Sequence, residues 1–428
     1  MPTSIFWFRN DLRLHDHPAL QKAIDHSDAT LFIYIVDPLQ YTDDKLGFSR
    51  IGPFRRQFIK ESVYALKDAL REKGSDLIIK RGDPMELIPA MMQNLNISEL
   101  HCSFEPGYDE QETVQALTDK LQKQAKQVHG MHNNFLIDIH TLPFAIENLP
   151  DIFTEFRKKA EKFAAFPEAI PTPHVLPSQL THNIIDDYVP EWDITVPQHP
   201  NAVLAFKGGE QEALLRLENY IWQQDLLKVY KETRNGLIGA DYSSKFSPWL
   251  AQGCISPRYI YKQVKKYEKE RVANQSTYWL IFELLWRDYF RMIAMKYSNR
   301  IFLKFGLKGH INKRMENNKA KFMQWVEGKT KEPFVNANMN ELRLSGFMSN
   351  RGRQNVASYL VNDLKVNWQW GARYFESMLM DYDVSSNWCN WNYVAGIGTD
   401  PREDRYFNIR KQSEMYDPDG LYVKLWAD

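Results

Sequence analysis

The chain has 428 residues, 43% hydrophobic and 25% charged, which is enough for more than one hydrophobic core, so we expect two domains. Its three cysteines, Cys102, Cys254 and Cys389, show no CxxC spacing, and neither a disulfide framework nor a metal site is predicted. The first residues lack the charged start and apolar run of a signal peptide, and no apolar stretch is long enough to cross a membrane. We therefore expect a cytoplasmic protein in a reducing compartment.

The formal net charge is zero, but the two halves of the chain differ. Residues 1–200 carry roughly −9 and residues 201–428 roughly +9, with most of the positive excess between Arg258 and Arg314. Such a basic stretch is typical either of a solvated helical surface or of a surface that contacts a phosphate backbone.

The first 130 residues alternate between short apolar runs and amphipathic segments. The predicted strands span 4–8, 30–36, 76–80 and 99–104, and the predicted helices span 18–24, 54–71 and 84–93. This alternation predicts an α/β domain with a doubly wound, Rossmann-like parallel sheet. No GxGxxG motif follows the first strand, which argues against an ordinary dinucleotide-dependent oxidoreductase.

Residues 131–205 are predicted to connect two domains, because the sequence from about 145 onward is rich in proline and irregular. From residue 206 to the end, helical periodicity predicts an all-α domain. The predicted helices span 210–230, 256–271, 276–297, 319–328, 351–364 and 370–380.

The segment from Ser276 to Arg291 carries the strongest chemical signal. Ser276 suits an N-cap, and the aromatic residues after it recur at three- and four-residue steps, so they share one helix face. Glu283 falls on that face between Trp279 and Trp286, where a carboxylate is costly unless it is paired. Glu283 either forms an intrahelical pair with Arg287 or bonds a ligand in an apolar pocket.

Four further clusters carry polar or aromatic side chains. Residues 242–249, YSSKFSPW, suit either ordinary helix capping or a phosphate site. Residues 350–355, NRGRQN, suit a solvated helix start or an anion. Residues 381–387, DYDVSSN, begin like a calcium loop, but Ser386 and Asn392 occupy positions that calcium requires as Gly and Glu, so a polar ring or sugar is the better ligand. Trp388 and Trp391 suit a core or an electron path to a redox group.

These motifs resemble the photolyase/cryptochrome family, and most closely its cryptochrome DASH branch. The resemblance is carried by TRNGLIGADYSSKFSPWLAQGCISPR, STYWLIFELLWRDYFR, PFVNANMNELRLSGFMSNRGRQNVASYLVNDL and DYDVSSNWCNWNYVAGIGTDPRED, and by WFRNDLRLHDHPAL near the start. It covers nearly the whole chain and is most specific over residues 230–428. It implies an N-terminal α/β antenna domain and a C-terminal helical domain that holds FAD.

The resemblance also implies roles for particular residues around FAD. The implied FAD-binding residues are Tyr230, Ser243, Ser244, Phe246, Ser247, Arg353, Asp381, Asp383 and Asn387. Trp391 and Trp368 match the two inner members of the family's tryptophan relay. The distal position aligns with Met315 instead, which puts the usual relay in doubt, and Trp325 lies nearby in sequence without aligning. A methenyltetrahydrofolate antenna is implied for the branch, with Glu110 and Glu155 as contacts, although both would also suit surface carboxylates.

The implied substrate is a cyclobutane pyrimidine dimer in DNA, repaired in light by an electron from reduced FAD. Glu283 would bond the dimer bases and stabilise their radical anion, Trp286 and Tyr393 would stack on them, and Asn350 and Arg351 would lie beside them. Tyr393 and Gln354 stand where duplex photolyases have Trp and Met, which favours single-stranded DNA as the substrate. The enzyme is expected to be monomeric. The alternative is a blue-light receptor that binds DNA with little repair.

Overall fold

The computed structural model describes residues 3–180, 184–310, 315–402 and 405–427. Its first part is a parallel sheet in the order β3-β2-β1-β4-β5, with β6 added beside β2. The strands are β1 (Thr3–Phe8), β2 (Ala29–Val36), β3 (Leu77–Arg81), β4 (Glu99–Ser103), β5 (Gln127–Met131) and β6 (Ser178–Gln179). The helices of this part are α1 (Pro18–His26), α2 (Pro53–Arg71), α3 (Pro84–Asn94) and α4 (Tyr108–Gln122). The predicted α/β fold is confirmed.

The remaining regular structure of the described chain is helical, and the described residues of 164–209 are largely irregular. Its helices are α5 (Phe153–Phe163), α6 (Glu210–Glu218), α7 (Tyr230–Thr233), α8 (Ser247–Ala251), α9 (Pro257–Glu270), α10 (Gln275–Tyr297), α11 (Lys319–Val326), α12 (Pro333–Ser345), α13 (Asn350–Ser358), α14 (Trp368–Met378), α15 (Val384–Ala395), α16 (Ile409–Tyr416) and α17 (Leu421–Leu425). Within the described residues, no helix combines the length and apolar character that a membrane crossing needs.

Two hydrophobic cores lie on opposite faces of the sheet, because successive strand side chains point to opposite sides. Ile5 and Trp7 of β1 pack with α3 and α4 on one face. Phe6 and Phe8 face the other side, where the core continues without a break into the helical half. The domain boundaries expected from the sequence stay a prediction, but the core on this second face joins the two halves.

Three of the differences between predicted and observed helix boundaries have an identifiable local cause. The helix α10 begins at Gln275, and its N-cap is Asn274, whose side chain accepts from the backbone N–H of Thr277 in a capping box, so the prediction of Ser276 as the cap was wrong. The predicted helix 210–230 ends at Glu218, and a π-helical turn follows before Asp225 adopts a positive φ. The predicted helix 351–364 likewise ends in a π-helical turn after Ser358.

Arg13, in the loop after β1, forms hydrogen bonds that connect the α/β part of the chain to the helical half. Its guanidinium is fully buried and donates to the carbonyl of Gly253 at 2.9 Å and to the Asn134 side chain at 2.8 Å. It also donates to the carbonyls of His15, Asp16 and Asn133. One side chain therefore satisfies acceptors from three separate stretches of the chain.

Replacing Arg13 with Met should lower the free energy of unfolding by roughly 3 kcal/mol or more, because each buried acceptor left without a donor costs about 1–3 kcal/mol. Urea denaturation followed by far-UV circular dichroism measures the change. Arg410 is the matched control, since its side chain is 88% exposed and its replacement by Met should change stability by less than about 0.5 kcal/mol. Equal stability of the two variants would contradict this role for Arg13.

Candidate active site

A cavity of about 480 Å³ opens within the helical half, which is within the size range of small-molecule sites. It lies between α8, α10, α13 and α15 and the loop before α8. The residues predicted from the sequence that line it are Tyr230, Ser243, Ser244, Phe246, Ser247, Glu283, Trp286, Asn350, Arg353, Asp381, Asp383, Asn387, Trp391 and Tyr393, with Gln354 beside them. Residues more than 160 positions apart in sequence thus meet around one space.

One end of the cavity carries hydroxyl groups and an unpaired cation. Ser243, Ser244 and Ser247 line it together with Lys245. The Lys245 side chain is 3% exposed, and its Nζ has no hydrogen-bond partner among the described residues and lies 3.2 Å from the centre of the Tyr242 ring. Burial, together with the neighbouring Arg216, lowers the pKa of Lys245 to about 7. An ammonium that is buried near Glu341 and Asp241 but makes no hydrogen bond is an arrangement that a phosphate ligand would complete.

The helix at this end cannot explain phosphate binding by its dipole. The segment predicted to start a helix does so, at Ser247, but α8 has only five residues, and a macrodipole needs a longer row of aligned peptides. Binding of an anion would therefore rest on the serine hydroxyls and on Lys245.

The cavity is also lined by carboxylates that arginines hold in place. Arg353 Nη2 lies 2.7 Å from an Asp381 oxygen. Asp383 caps α15 by accepting from the Ser386 N–H at 2.7 Å, and Arg291 lies 3.3 Å from its other oxygen. Burial favours the neutral form of Asp383, but Arg291 and Arg287 outweigh burial and hold its pKa below the ordinary value. Both carboxylates are therefore fixed in position, and Asp383 stays ionised at neutral pH.

Asn387 follows on the same helix and faces the cavity. Its amide nitrogen donates to the backbone carbonyl of Ala372 at 3.0 Å, so its side-chain oxygen is the group left for a ligand. The roles predicted for this wall around a flavin ring stay predictions.

Glu283 is paired with Arg234 and not with Arg287. Its Oε1 lies 2.6 Å from Arg234 Nη1, whereas Arg287 donates to the backbone carbonyls of Asn134 and Leu250. The intrahelical alternative was therefore wrong, because the Arg287 side chain is taken up by the loops packed against α10. Burial raises the pKa of Glu283, against the opposing effect of Arg234.

Arg234 is a site residue that sequence reasoning missed. It lines the cavity on α7's C-terminal side, 49 positions before Glu283, and a pairing over that separation leaves no local pattern. Trp279, one turn before Glu283, is packed beneath the guanidinium of Arg234 at 5.3 Å from its ring centre. Trp279 itself is absent from the described residues that line the cavity.

Trp286 forms an aromatic wall of the cavity. One face of its indole is stacked on Phe153 of α5, with ring centres 3.6 Å apart and planes 12° apart. Tyr393 meets Trp286 edge-on at 6.5 Å, and the Tyr393 hydroxyl accepts from Arg405 at 2.5 Å. Packing on one side leaves Trp286 with restricted rotamers, which is what a stacking surface for a flat ligand requires. Arg405, also a lining residue, was not predicted.

Four predicted site residues, and Met315 at the distal relay position, lie elsewhere than on the cavity wall. Arg351 is absent from the described lining residues, and its guanidinium instead bonds Gln354 and Asn235 and lies over the Tyr416 ring. The two predicted antenna contacts are an exposed Glu155 on α5 and a half-buried Glu110 on α4. Trp368 is fully buried against Trp388 at 5.8 Å. Met315 is partly buried against the core. Their predicted roles stay predictions.

Trp391 lines the cavity and touches a second tryptophan on its far side. Its ring packs edge-on to Phe375 at 5.1 Å and to Trp325 at 6.3 Å. Trp325 was set aside on sequence grounds because it does not align with the family's distal position. The fold nevertheless makes it a direct ring neighbour of Trp391.

Comparison with known proteins agrees over the full length. The family model described as DNA photolyase matches residues 4–174, and the one described as FAD binding domain of DNA photolyase matches residues 279–428. A protein named Cryptochrome DASH from Synechocystis sp. is 47% identical over 435 residues, covering 99% of this chain and 87% of that protein. A Cryptochrome DASH from Xenopus laevis is 46% identical, covering 98% and 81%.

Two solved structures extend the agreement to the fold. A crystal structure of a Synechocystis sp. cryptochrome superposes with a TM-score of 0.96 at 47% identity, covering 100% of this chain and 88% of that one. A bacterial class III photolyase from Agrobacterium tumefaciens superposes with a TM-score of 0.85 at 26% identity, covering 100% and 86%. With matching family models in both halves and full-length relatives near half identity, the chain belongs to the photolyase/cryptochrome family.

Proposed function

We propose that this protein repairs cyclobutane pyrimidine dimers in DNA, using light and reduced FAD, and that it prefers single-stranded DNA. The observation that carries the proposal is the continuity of the cavity. The unpaired Lys245 and its serines at one end, the Asp381–Asn387 wall, and the Glu283–Trp286 wall all line one space. Such a space suits a flavin and a flat substrate side by side.

The donors present fit FAD. Lys245 and the serine hydroxyls suit the diphosphate, and an unsatisfied buried ammonium is what an anion would neutralise. Asp381, fixed by Arg353, and the oxygen of Asn387 offer acceptors for ring and ribose donors. When bound and reduced, FAD supplies the light absorption and the electron for ring splitting.

The remaining residues act on the substrate. Trp286 and Tyr393 provide surfaces on which an unstacked dimer packs, and Glu283, held at the cavity by Arg234, is placed to hydrogen-bond the bases. Asn350 lines the cavity close by. The helical half is the basic half of the chain, which suits contact with a strand's phosphates.

Tyr393 is the residue that supports a preference for single-stranded DNA. A phenol offers less stacking area than an indole, and extraction of a dimer from a duplex costs a few kcal/mol that an unpaired strand does not require. A weaker stacking surface therefore restricts repair to strands that are already unpaired.

The decisive experiment is a repair assay on one ultraviolet-irradiated oligothymidine, free or annealed to oligoadenosine. Under blue light, with flavin reduction confirmed by its visible spectrum, absorbance of the free strand should recover while the duplex recovers far more slowly. A dark sample is the control. If absorbance recovers on neither substrate, the proposed repair activity is contradicted and a light receptor that binds DNA is favoured. If it recovers equally on both, the proposed preference for single-stranded DNA is contradicted.

Flavin photoreduction tests the tryptophan path. Replacing Trp391 with Phe should remove most of the blue-light reduction of bound oxidised flavin, because the Trp391 indole lines the cavity and has a second tryptophan as a ring neighbour that can re-reduce it. Replacing Trp325 with Phe should also slow it, because an electron from Trp325 would refill the oxidised Trp391. Transient absorption measures both rates, and chemically reduced protein should repair normally. Unchanged photoreduction in Trp391→Phe would contradict the path.

A further inference from the structure

A second polar cluster lies at the edge of the sheet, in the other half of the molecule. Glu99 and His101 belong to β4, and His129 lies directly opposite His101 on β5. Residues two apart on a strand share a face, so the three side chains meet on one side of the sheet. His101 pairs with Phe6 of β1, and Phe6 packs against α1. The cluster therefore lies on the face of the sheet that α1 covers. Among the described residues that line the flavin cavity, none of the three occurs.

The donor atoms are close enough to share one ion. Glu99 Oε2 lies 3.1 Å from His101 Nε2 and 3.6 Å from His129 Nε2. One ligand atom from each residue falls within 4.8 Å of the others. Ligands about 2.0–2.2 Å from a tetrahedral Zn²⁺ are separated by roughly 3.3–3.6 Å. The 3.6 Å separation falls within that range, and the 3.1 Å separation is about 0.2 Å shorter than its lower end.

Hydrogen bonding alone leaves this cluster incomplete. His101 donates to Glu99, but the 3.6 Å separation of His129 from the same oxygen is longer than a hydrogen bond. The two imidazoles are stacked with centres 4.8 Å apart. The side chains of Glu99, His101 and His129 are 13%, 1% and 24% exposed, so an ion can enter from the side of His129.

We propose that Glu99, His101 and His129 form a binding site for a divalent transition metal, with Zn²⁺ as the preferred ion. Two imidazoles and one carboxylate suit Zn²⁺ better than Mg²⁺ or Ca²⁺, which take oxygen ligands. Three protein ligands leave one position for water. The ion fastens the edge strand β5 to β4, so its role is structural and separate from the flavin chemistry.

The test uses the full flavin-containing chain after treatment with a chelator. Zn²⁺ alone is titrated calorimetrically, and the melting temperature is measured with and without it. One Zn²⁺ per chain should bind and raise the melting temperature. Glu99→Gln and His129→Gln should weaken that binding by about 100-fold or more, since even an outer-shell change costs 10–100-fold. His140→Gln removes an exposed imidazole elsewhere and should leave binding unchanged.

Either of two outcomes would overturn the site. One is that the wild-type protein binds no Zn²⁺, or that bound Zn²⁺ does not raise its melting temperature. The other is Zn²⁺ binding that is the same in wild type, Glu99→Gln and His129→Gln, which would place the ion on other residues. An unchanged flavin spectrum reports that a variant is folded, and His129→Gln alone carries the test if Glu99→Gln does not fold.

Discussion

Replacing Lys245 with Met is expected to weaken FAD binding by about 10- to 100-fold, because a hydrogen bond to a charged group contributes about 1.5–3 kcal/mol. The substitution keeps the aliphatic volume at a buried position and removes only the ammonium that lines the cavity without a partner. Fluorescence of FAD released on dilution measures the dissociation constant. Lys329→Met, at a side chain that is 71% exposed, should bind FAD as the wild type does.

The same lysine predicts a pH dependence. Its pKa is lowered to about 7, so in the flavin-free protein the ammonium is present below pH 7 and is lost as pH rises through that value. Binding of a diphosphate requires the ammonium, so FAD affinity should be highest near pH 6 and fall by up to about tenfold per unit above 7. The Met variant should show a flat profile over this range. A wild-type profile as flat as the variant's would contradict a contact between Lys245 and the phosphates.

Replacing Glu283 with Gln is the second change with a large expected effect. Repair under blue light should become roughly two- to tenfold less efficient, because the carboxyl group that is placed to hydrogen-bond the bases is lost, while the FAD content stays the same. The amide preserves the shape of the side chain and leaves Arg234 without its ion pair. Quantum yield on irradiated oligothymidine and flavin absorbance after purification are the two measurements.

Glu218→Gln provides the control for that change. Glu218 is an exposed carboxylate on α6, and its replacement should affect neither repair nor flavin content. Loss of FAD from Glu283→Gln would show that the carboxylate supports the cofactor and not the substrate. Full repair by Glu283→Gln would remove it from the reaction.

The sheet was predictable where its strands are buried on both faces. The runs at 4–8 and 30–36 are continuous and apolar, and they became the two central strands β1 and β2. The edge strand β5 was missed because its sequence, QVHGM, is half exposed and carries no apolar run. An edge strand is specified by the neighbour it pairs with, which local sequence does not record.

Besides α4, α12, α16 and α17, which the predicted helices do not include, two helices were missed for reasons that differ. α15 follows a cluster of acidic and polar residues that suggested a loop, yet Asp383 is the N-cap that starts the helix and carries Trp388 and Trp391 onto it. α5 lies in a proline-rich stretch taken as a connector. Its hydrophobic side, with Phe153 and Phe156 buried, is recognisable only once α10 is present to cover it.

The candidate site was predictable through its motifs but not through its pairings. The motif residues that line the cavity were located as single positions. The ion pair of Glu283 with Arg234 and the stacking of Phe153 on Trp286 connect residues 49 and 133 positions apart. Contacts of that kind follow from tertiary packing, and no spacing rule along the chain predicts them.

The stacking of Phe153 on Trp286 limits how this molecule can be recombined with its relatives. A chimera that joins the sheet of one family member to the helical half of another, at a crossover near residue 205, would exchange α5 without exchanging the wall it supports. Trp286 would then lose the Phe153 ring that is stacked on it. The foreign segment would have to supply an aromatic side chain at the position of Phe153. Crossovers placed before residue 135 keep α5 with its own α10, and these are the junctions at which functional hybrids should be sought.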